Sequence, residues 1–124
     1  MINGYIRDGR EALIRISIQN GKGEFVAIDA VIDTGFNGSL TLPAAIITSL
    51  ELRWRGKGTA LMANGAIDQC DIYAANVLWD GAGRNILVEA ADTDPLIGTA
   101  MMSGHELRVQ FLSGGEVRLR EIQS

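Results

Sequence analysis

The sequence predicts a mostly β domain with one or two short helices. Three observations carry this. Many short apolar runs are separated by Gly-rich turns, and 15 glycines stand against 2 prolines in 124 residues. Several runs alternate apolar and polar residues with a period of two. Only one or two stretches have the make-up of a helix. Apolar residues form 47% and charged residues 21% of the chain, which is the balance of a globular domain with a core of its own. The length and the lack of any linker, repeat or low-complexity stretch make residues 1–124 a single unit.

The elements follow in order. "ALIRISIQ" (12–19) alternates, with Ile14, Ile16 and Ile18 on one face and Arg15, Ser17 and Gln19 on the other. Asn20 to Gly23 tolerate positive φ and should turn a hairpin into "EFVAIDAVI" (24–32). "LTLP" (40–43) returns to the core. "LPAAIITSLEL" (42–52) reads as a short helix with Pro43 in its first turn. "TALMANGAIDQCDIYAANV" (59–77) is a second hairpin with Asn64–Gly65 at its tip. Asp80 to Gly83 form another turn, followed by the strand "NILVEAA" (85–91). Leu96–Ile97–Gly98 should close a strand, and Thr99 to Ser103 should make one or two helical turns stopped by Gly104. A last hairpin, "ELRVQFLSGGEVRLREI" (106–122), turns at Ser113–Gly115.

Several function classes are disfavoured. A net charge of −4 with scattered Lys and Arg gives no footprint for nucleic acid or for a membrane surface. No apolar run is long enough to span a bilayer, and the first residues lack the apolar core of a signal peptide, so a cytoplasmic location is expected. Cys70 has no second cysteine to pair with and reads as a buried apolar filler. The lone His105 beside Gly104 reads as a helix-end or surface residue, which leaves no base for a serine triad. One His and one Cys do not make a zinc site. "GKGT" (56–59) lacks the first Gly of a phosphate loop, and "GAGRN" (81–85) lacks the third Gly of a dinucleotide fingerprint. Met101–Met102 read as core packing on a short helix.

The run Val31–Ile32–Asp33–Thr34–Gly35 remains. An apolar strand ends on an ionisable carboxylate. Small residues, Gly38–Ser39, follow before "LTLP". Asp and Gly are ordinary turn residues, so the tripeptide by itself is a weak signal. Its context adds the Asn-Gly hairpin and the later "PLIG" (95–98).

That order resembles the retropepsin-like aspartic peptidases, the group of the retroviral proteases and their cellular relatives. The resemblance runs from about Ala12 to Phe111, with "VIDTG" and "PLIG" as its specific anchors and "MANGA" (62–66) as a softer third. It implies a single-domain, closed β-barrel of the acid-protease fold. It makes Asp33 catalytic and has Thr34 reach to a partner subunit to lock two active-site loops together. Gly35 would let backbone approach the carboxylates, and Leu96–Ile97–Gly98 would pack under the loop. The hairpin with Ala63, Asn64 and Gly65 would fold over a peptide substrate as a flap. Such chemistry sets two carboxylates across one water. Like charges that close share a single proton, so one carboxylate acts as base and the other as acid. With one Asp-Thr-Gly per chain, and "DTDP" (92–95) no second copy, the active form implied is a homodimer with no metal or organic cofactor.

The sequence departs from the pattern in places. Phe36 stands where retroviral relatives have a small residue, so it would narrow the cleft or build an apolar subsite. Asn37 and Gly38 replace acids that hold substrate backbone; Asn37 can still hydrogen-bond a peptide, whereas Gly38 offers only main chain. Thr99–Ala100 follow "LIG" in place of an Asp or Asn. Two competing readings share these residues. One is a non-catalytic dimerisation or peptide-binding module whose cleft is blocked by Phe36. The other is an unrelated small β-barrel in which Asp33–Gly35 is only a turn. Dimer geometry separates the second from the rest, and turnover of a peptide mixture separates the first.

Overall fold

The computed structural model describes residues 1–61, 65 and 67–123. The described residues are mostly strand, with ten strands and one helix: β1 (Ile2–Arg7), β2 (Glu11–Gln19), β3 (Phe25–Ile32), β4 (Leu40–Leu42), α1 (Ala44–Leu50), β5 (Arg53–Leu61), β6 (Ile67–Trp79), β7 (Ala82–Ala90), β8 (Leu96–Ile97), β9 (His105–Val109) and β10 (Val117–Glu121). They join in the order β5-β6-β7-β4-β8-β3-β2-β1-β10-β9. A further pairing of β2 with β6, Ser17 opposite Leu78 and Ile18 opposite Val77, closes a circuit through β2, β3, β8, β4, β7 and β6.

The core lies inside this circuit. Ile14 and Ile18 from β2, Leu40 and Leu42 from β4, Val77, Val88 and Ile97 are fully buried, and Ile16 nearly so. Burying one such side chain stabilises the fold by about 2 kcal/mol before ordering costs. The alternation along β2 therefore sorts as expected, with Arg15 exposed opposite the buried isoleucines. Helix α1 buries Ile47 and Leu50, three residues apart on one face. Pro43 precedes the first turn instead of entering it: it stands at the N-cap with ψ 155°, and its carbonyl accepts from the backbone N–H of Ile46 and Ile47.

The hairpins fall where the turn residues put them. β2 pairs with β3 from Gln19–Phe25 back to Leu13–Val31, and Asn20 Oδ1 caps the loop by accepting from the backbone N–H of Lys22 and Glu24. The expected turn at Asp80 to Gly83 is tighter: Trp79 pairs with Ala82, so only Asp80 and Gly81 form the loop. Both have positive φ, 52° and 84°, the requirement of a two-residue type I′ turn. β5 pairs with β6 out to Leu61 opposite Ile67, so the arms of the Asn64–Gly65 hairpin exist.

Three further expectations need correction. Thr99 to Gly104 form consecutive hydrogen-bonded turns and no helix, leaving α1 the only helix among the described residues. Met101 and Met102 are nonetheless buried, as core residues on those turns. Cys70 is half-buried on β6, not a fully buried filler. His105 starts β9 half-buried against Trp79, with ring centroids 5.7 Å apart at 76°. The indole Nε1–H of Trp79 donates to His105 Nε2 at 3.3 Å. That fixes the proton on Nδ1, which donates to Ser103 O at 3.2 Å.

On the outer face of β1–β3, Arg15 Nε and Tyr5 Oη both donate to the Asp29 carboxylate, at 2.9 and 3.0 Å. Arg15 above all, then Tyr5, holds the Asp29 carboxyl below its ordinary range, against the opposing effect of desolvation. A depressed folded-state value means that the stabilisation is complete above the unfolded carboxylate value and is lost as pH falls through the folded one. The Asp29 side chain is 34% exposed, so the contribution is modest, about 0.5–1 kcal/mol. Asp29→Asn should lower Tm by roughly 3 °C at neutral pH. The difference from the parent should close in acid; a deficit that is constant with pH would remove ionisation as its cause.

Candidate active site

Asp33 follows the last residue of β3, and its loop is held by a strand from the far end of the chain. β8 lies between β3 and β4, parallel to β3 (Val31 opposite Leu96, Ile32 opposite Ile97) and antiparallel to β4 (Leu40 opposite Ile97). The backbone N–H of Asp33 donates to Ile97 O at 2.9 Å. From the other side, Gly98 N–H donates to Ser39 O (3.1 Å), Thr99 N–H to Phe36 O (2.9 Å) and Ala100 N–H to Gly38 O (3.2 Å). The 33–39 loop is thus stitched along its length to residues 97–100. The buried Thr41 hydroxyl adds a further tie by accepting from Leu96 N–H at 3.2 Å.

Gly98 explains why "LIG" needs its glycine. A Cβ there would collide with the carbonyl oxygens of Gly38 and Phe36 and with Cδ2 of the Phe36 ring. Gly98 is buried, and Leu96–Ile97–Gly98 does pack against the Asp33 loop.

The Asp33 side chain is half-buried and oriented by its own loop: Gly35 N–H donates to Asp33 Oδ1 at 2.9 Å. A Cβ at Gly35 would sit 3.2 Å from that oxygen, tighter than usual contact. Phe36 N–H then returns to Asp33 O at 3.1 Å, closing the turn. The carboxylate is therefore held by one backbone donor, Gly35 N–H, while Thr34, Gly35 and Asn37 are exposed on the single chain. Phe36 is half-buried, and its ring lies against Gly38 and Gly98. Of the flap residues, Ala63 and Asn64 lie outside the described residues; Gly65 is an exposed bend with φ 86°.

Glu89 was not singled out from sequence. It stands on β7 opposite Ile72 of β6 and in register with Thr41 of β4. A Cβ at Gly38 would stand 2.5 Å from Glu89 Oε2 and 2.5 Å from Phe36 Cζ, so this carboxylate and the ring both rest against the Gly38 main chain. Desolvation raises the Glu89 carboxyl above its ordinary value. The available signal was alternation: Ile86 and Val88 are buried, which puts Asn85, Leu87 and Glu89 on the opposite face.

A cavity of about 620 Å³ lies further along that face, lined among others by Arg53, Arg55, Ala74, Asn76, Asn85 and Leu87. It holds no acid and no nucleophile, so the chemistry of Asp33 is not expected there. Among the described residues no group of three or more His, Cys, Asp or Glu is arranged to hold a metal, and no helix is long and apolar enough to cross a membrane. No protein-family model matches the chain, and no curated protein or solved structure matches it either.

Proposed function

We propose that the chain is a retropepsin-like aspartic endopeptidase that acts as a homodimer, its strand circuit being the closed barrel of that fold. The observation that carries the reading is the interlock of the Asp33–Thr34–Gly35 loop with Leu96–Ile97–Gly98, both anchors of the resemblance meeting in space through Asp33 N–H to Ile97 O and Gly98 N–H to Ser39 O. A carboxylate at the end of a core strand, held by a local N–H donor, is pre-organised for general acid–base work. Thr34, Gly35 and Asn37, exposed on one chain, would be covered by the second subunit and the peptide.

In this mechanism one Asp33 carboxylate takes a proton from a water held between the two subunits. The other donates its proton to the carbonyl oxygen of the scissile peptide as the water attacks carbon. Collapse of the tetrahedral intermediate then expels the amine: the first carboxyl passes the proton it took from water to the leaving nitrogen, and a diol hydroxyl returns a proton to the second carboxylate. Asn37 and the loop main chain would hold the substrate backbone. The contact of the Phe36 ring with Gly38 and Gly98 supports an open cleft over the blocked, non-catalytic module.

The test is turnover of an unbiased peptide mixture across a dilution series, with sedimentation alongside. Each chain supplies one Asp-Thr-Gly, so activity per subunit should fall as the dimer dissociates. A fully active monomer would sink the shared site. A stable dimer that binds peptides and cleaves none would leave the module reading in its place.

A further inference from the structure

We infer that Glu89 and the Phe36 ring form a subsite for a cationic side chain, arginine above lysine, of the bound peptide. The inference rests on the peptidase reading for its substrate and on local geometry for its chemistry. Glu89 Oε2 and Phe36 Cζ converge on the same point above Gly38, within the loop that begins at Asp33. Gly38 has no side chain to stand between the carboxylate and the ring. Across the strand, Ile72, opposite Glu89, supplies an apolar wall, and its side chain lies over Gly58 of β5.

The carboxylate has no cationic partner among the described residues. Other acids of this molecule do: Asp29 pairs with Arg15, Asp71 with Lys57, Glu106 with Arg120 and Glu116 with Arg118. A neighbour of Glu89 is Cys70, whose Sγ lies 4.0 Å from Oε1. A half-buried carboxylate that faces no cation is costly to ionise, in keeping with the upward pull of burial on Glu89. An incoming cation removes that cost. Guanidinium suits the site better than ammonium, because its planar fork matches a carboxylate and its face stacks on an aromatic ring. The aliphatic stem of either side chain would lie along Ile72.

The experiment measures binding, so that it does not depend on turnover. The full-length Asp33→Asn protein is titrated with fluorescent peptides from a positional library in which arginine is compared with citrulline, its neutral near-isostere. At one position the arginine peptides should bind about tenfold tighter, the size expected of a charge-assisted hydrogen bond. Glu89→Gln in the same background should bring the ratio near one, and Glu89→Asp should restore part of it. Thermal melts of both variants report folding separately. Arginine and citrulline peptides of equal affinity at every position would overturn the subsite, as would a preference that survives Glu89→Gln. Glu89-dependent arginine binding in a protein whose parent cleaves no peptide would keep the subsite and remove the hydrolytic reading.

Discussion

Replacing Asp33 by Asn should lower peptide hydrolysis by at least about a thousandfold, the scale of a lost general acid–base partner. The fold and the proposed dimer should survive. The amide keeps an oxygen where Asp33 Oδ1 accepts from Gly35 N–H, and the backbone bonds to Ile97 and Phe36 do not involve the side chain. What it loses is the ability to take a proton from water. In a two-fold dimer the substitution also removes both halves of the pair, so no wild-type carboxylate remains to act alone. Melting temperature should match the parent or exceed it, because in the proposed dimer two facing acids would no longer repel. The measurement is cleavage of a peptide mixture by parent and variant at matched dimer concentration. Unchanged cleavage by the variant would take Asp33 out of the mechanism. A fall in cleavage that tracks a fall in Tm or in dimer would recast Asp33 as a structural residue.

Much of the strand layout was legible because local rules and burial agree. Ile14, Ile16 and Ile18 alternate in sequence and are buried together, and Asn20 to Gly23 turn the chain where residues free to adopt positive φ are needed. β1 was missed although part of its signal is local: it pairs with β2 from Gly4–Ile14 to Arg7–Glu11 across a turn in which Asp8 and Gly9 both have positive φ, and only its other edge is long-range, Ile2 opposite Leu119 of β10. The insertion of β8 between β3 and β4 and the closing contact of β2 with β6 are also long-range, and nothing in a two-residue strand announces its neighbours. Thr99 to Ser103 looked helical because Ala100, Met101 and Met102 favour helix. Met102 N–H does make a helix-like bond to Gly98 O, but the N–H groups of Thr99 and Ala100 are tied to Phe36 O and Gly38 O, and His105 N–H returns to Met102 O as the chain enters β9, so the segment ends as turns. At the site, Asp33, Gly35 and Gly98 were readable as a motif with a mechanism. Glu89 was not, because an acid on the outer face of a strand is ordinary until the fold brings a glycine loop to it.

Gly98→Ala should be the most destabilising methyl that can be added near the site. The new Cβ would run into Gly38 O and Phe36 O, which are backbone atoms already committed to hydrogen bonds from Ala100 and Thr99. No rotamer change relieves a backbone clash, so either β8 or the 36–38 loop must shift. Overpacking of this kind costs about 3 kcal/mol, which in a domain of this size lowers Tm by roughly 10 °C. The loop that shifts is the one that carries Asp33, so cleavage should fall further than the melt alone explains, even at temperatures where the variant stays folded. Gly83→Ala is the control. It lies in β7, its added Cβ would meet Asn76 Oδ1 at an ordinary 3.5 Å, and its backbone is not in the left-handed region. That change should stay within about 0.5 kcal/mol of the parent, as surface substitutions do. The comparison of the two melts isolates the close approach at Gly98 from the generic cost of losing a glycine. Equal melts would mean that the loop and β8 do not meet as tightly as the hydrogen bonds from Gly98, Thr99 and Ala100 require.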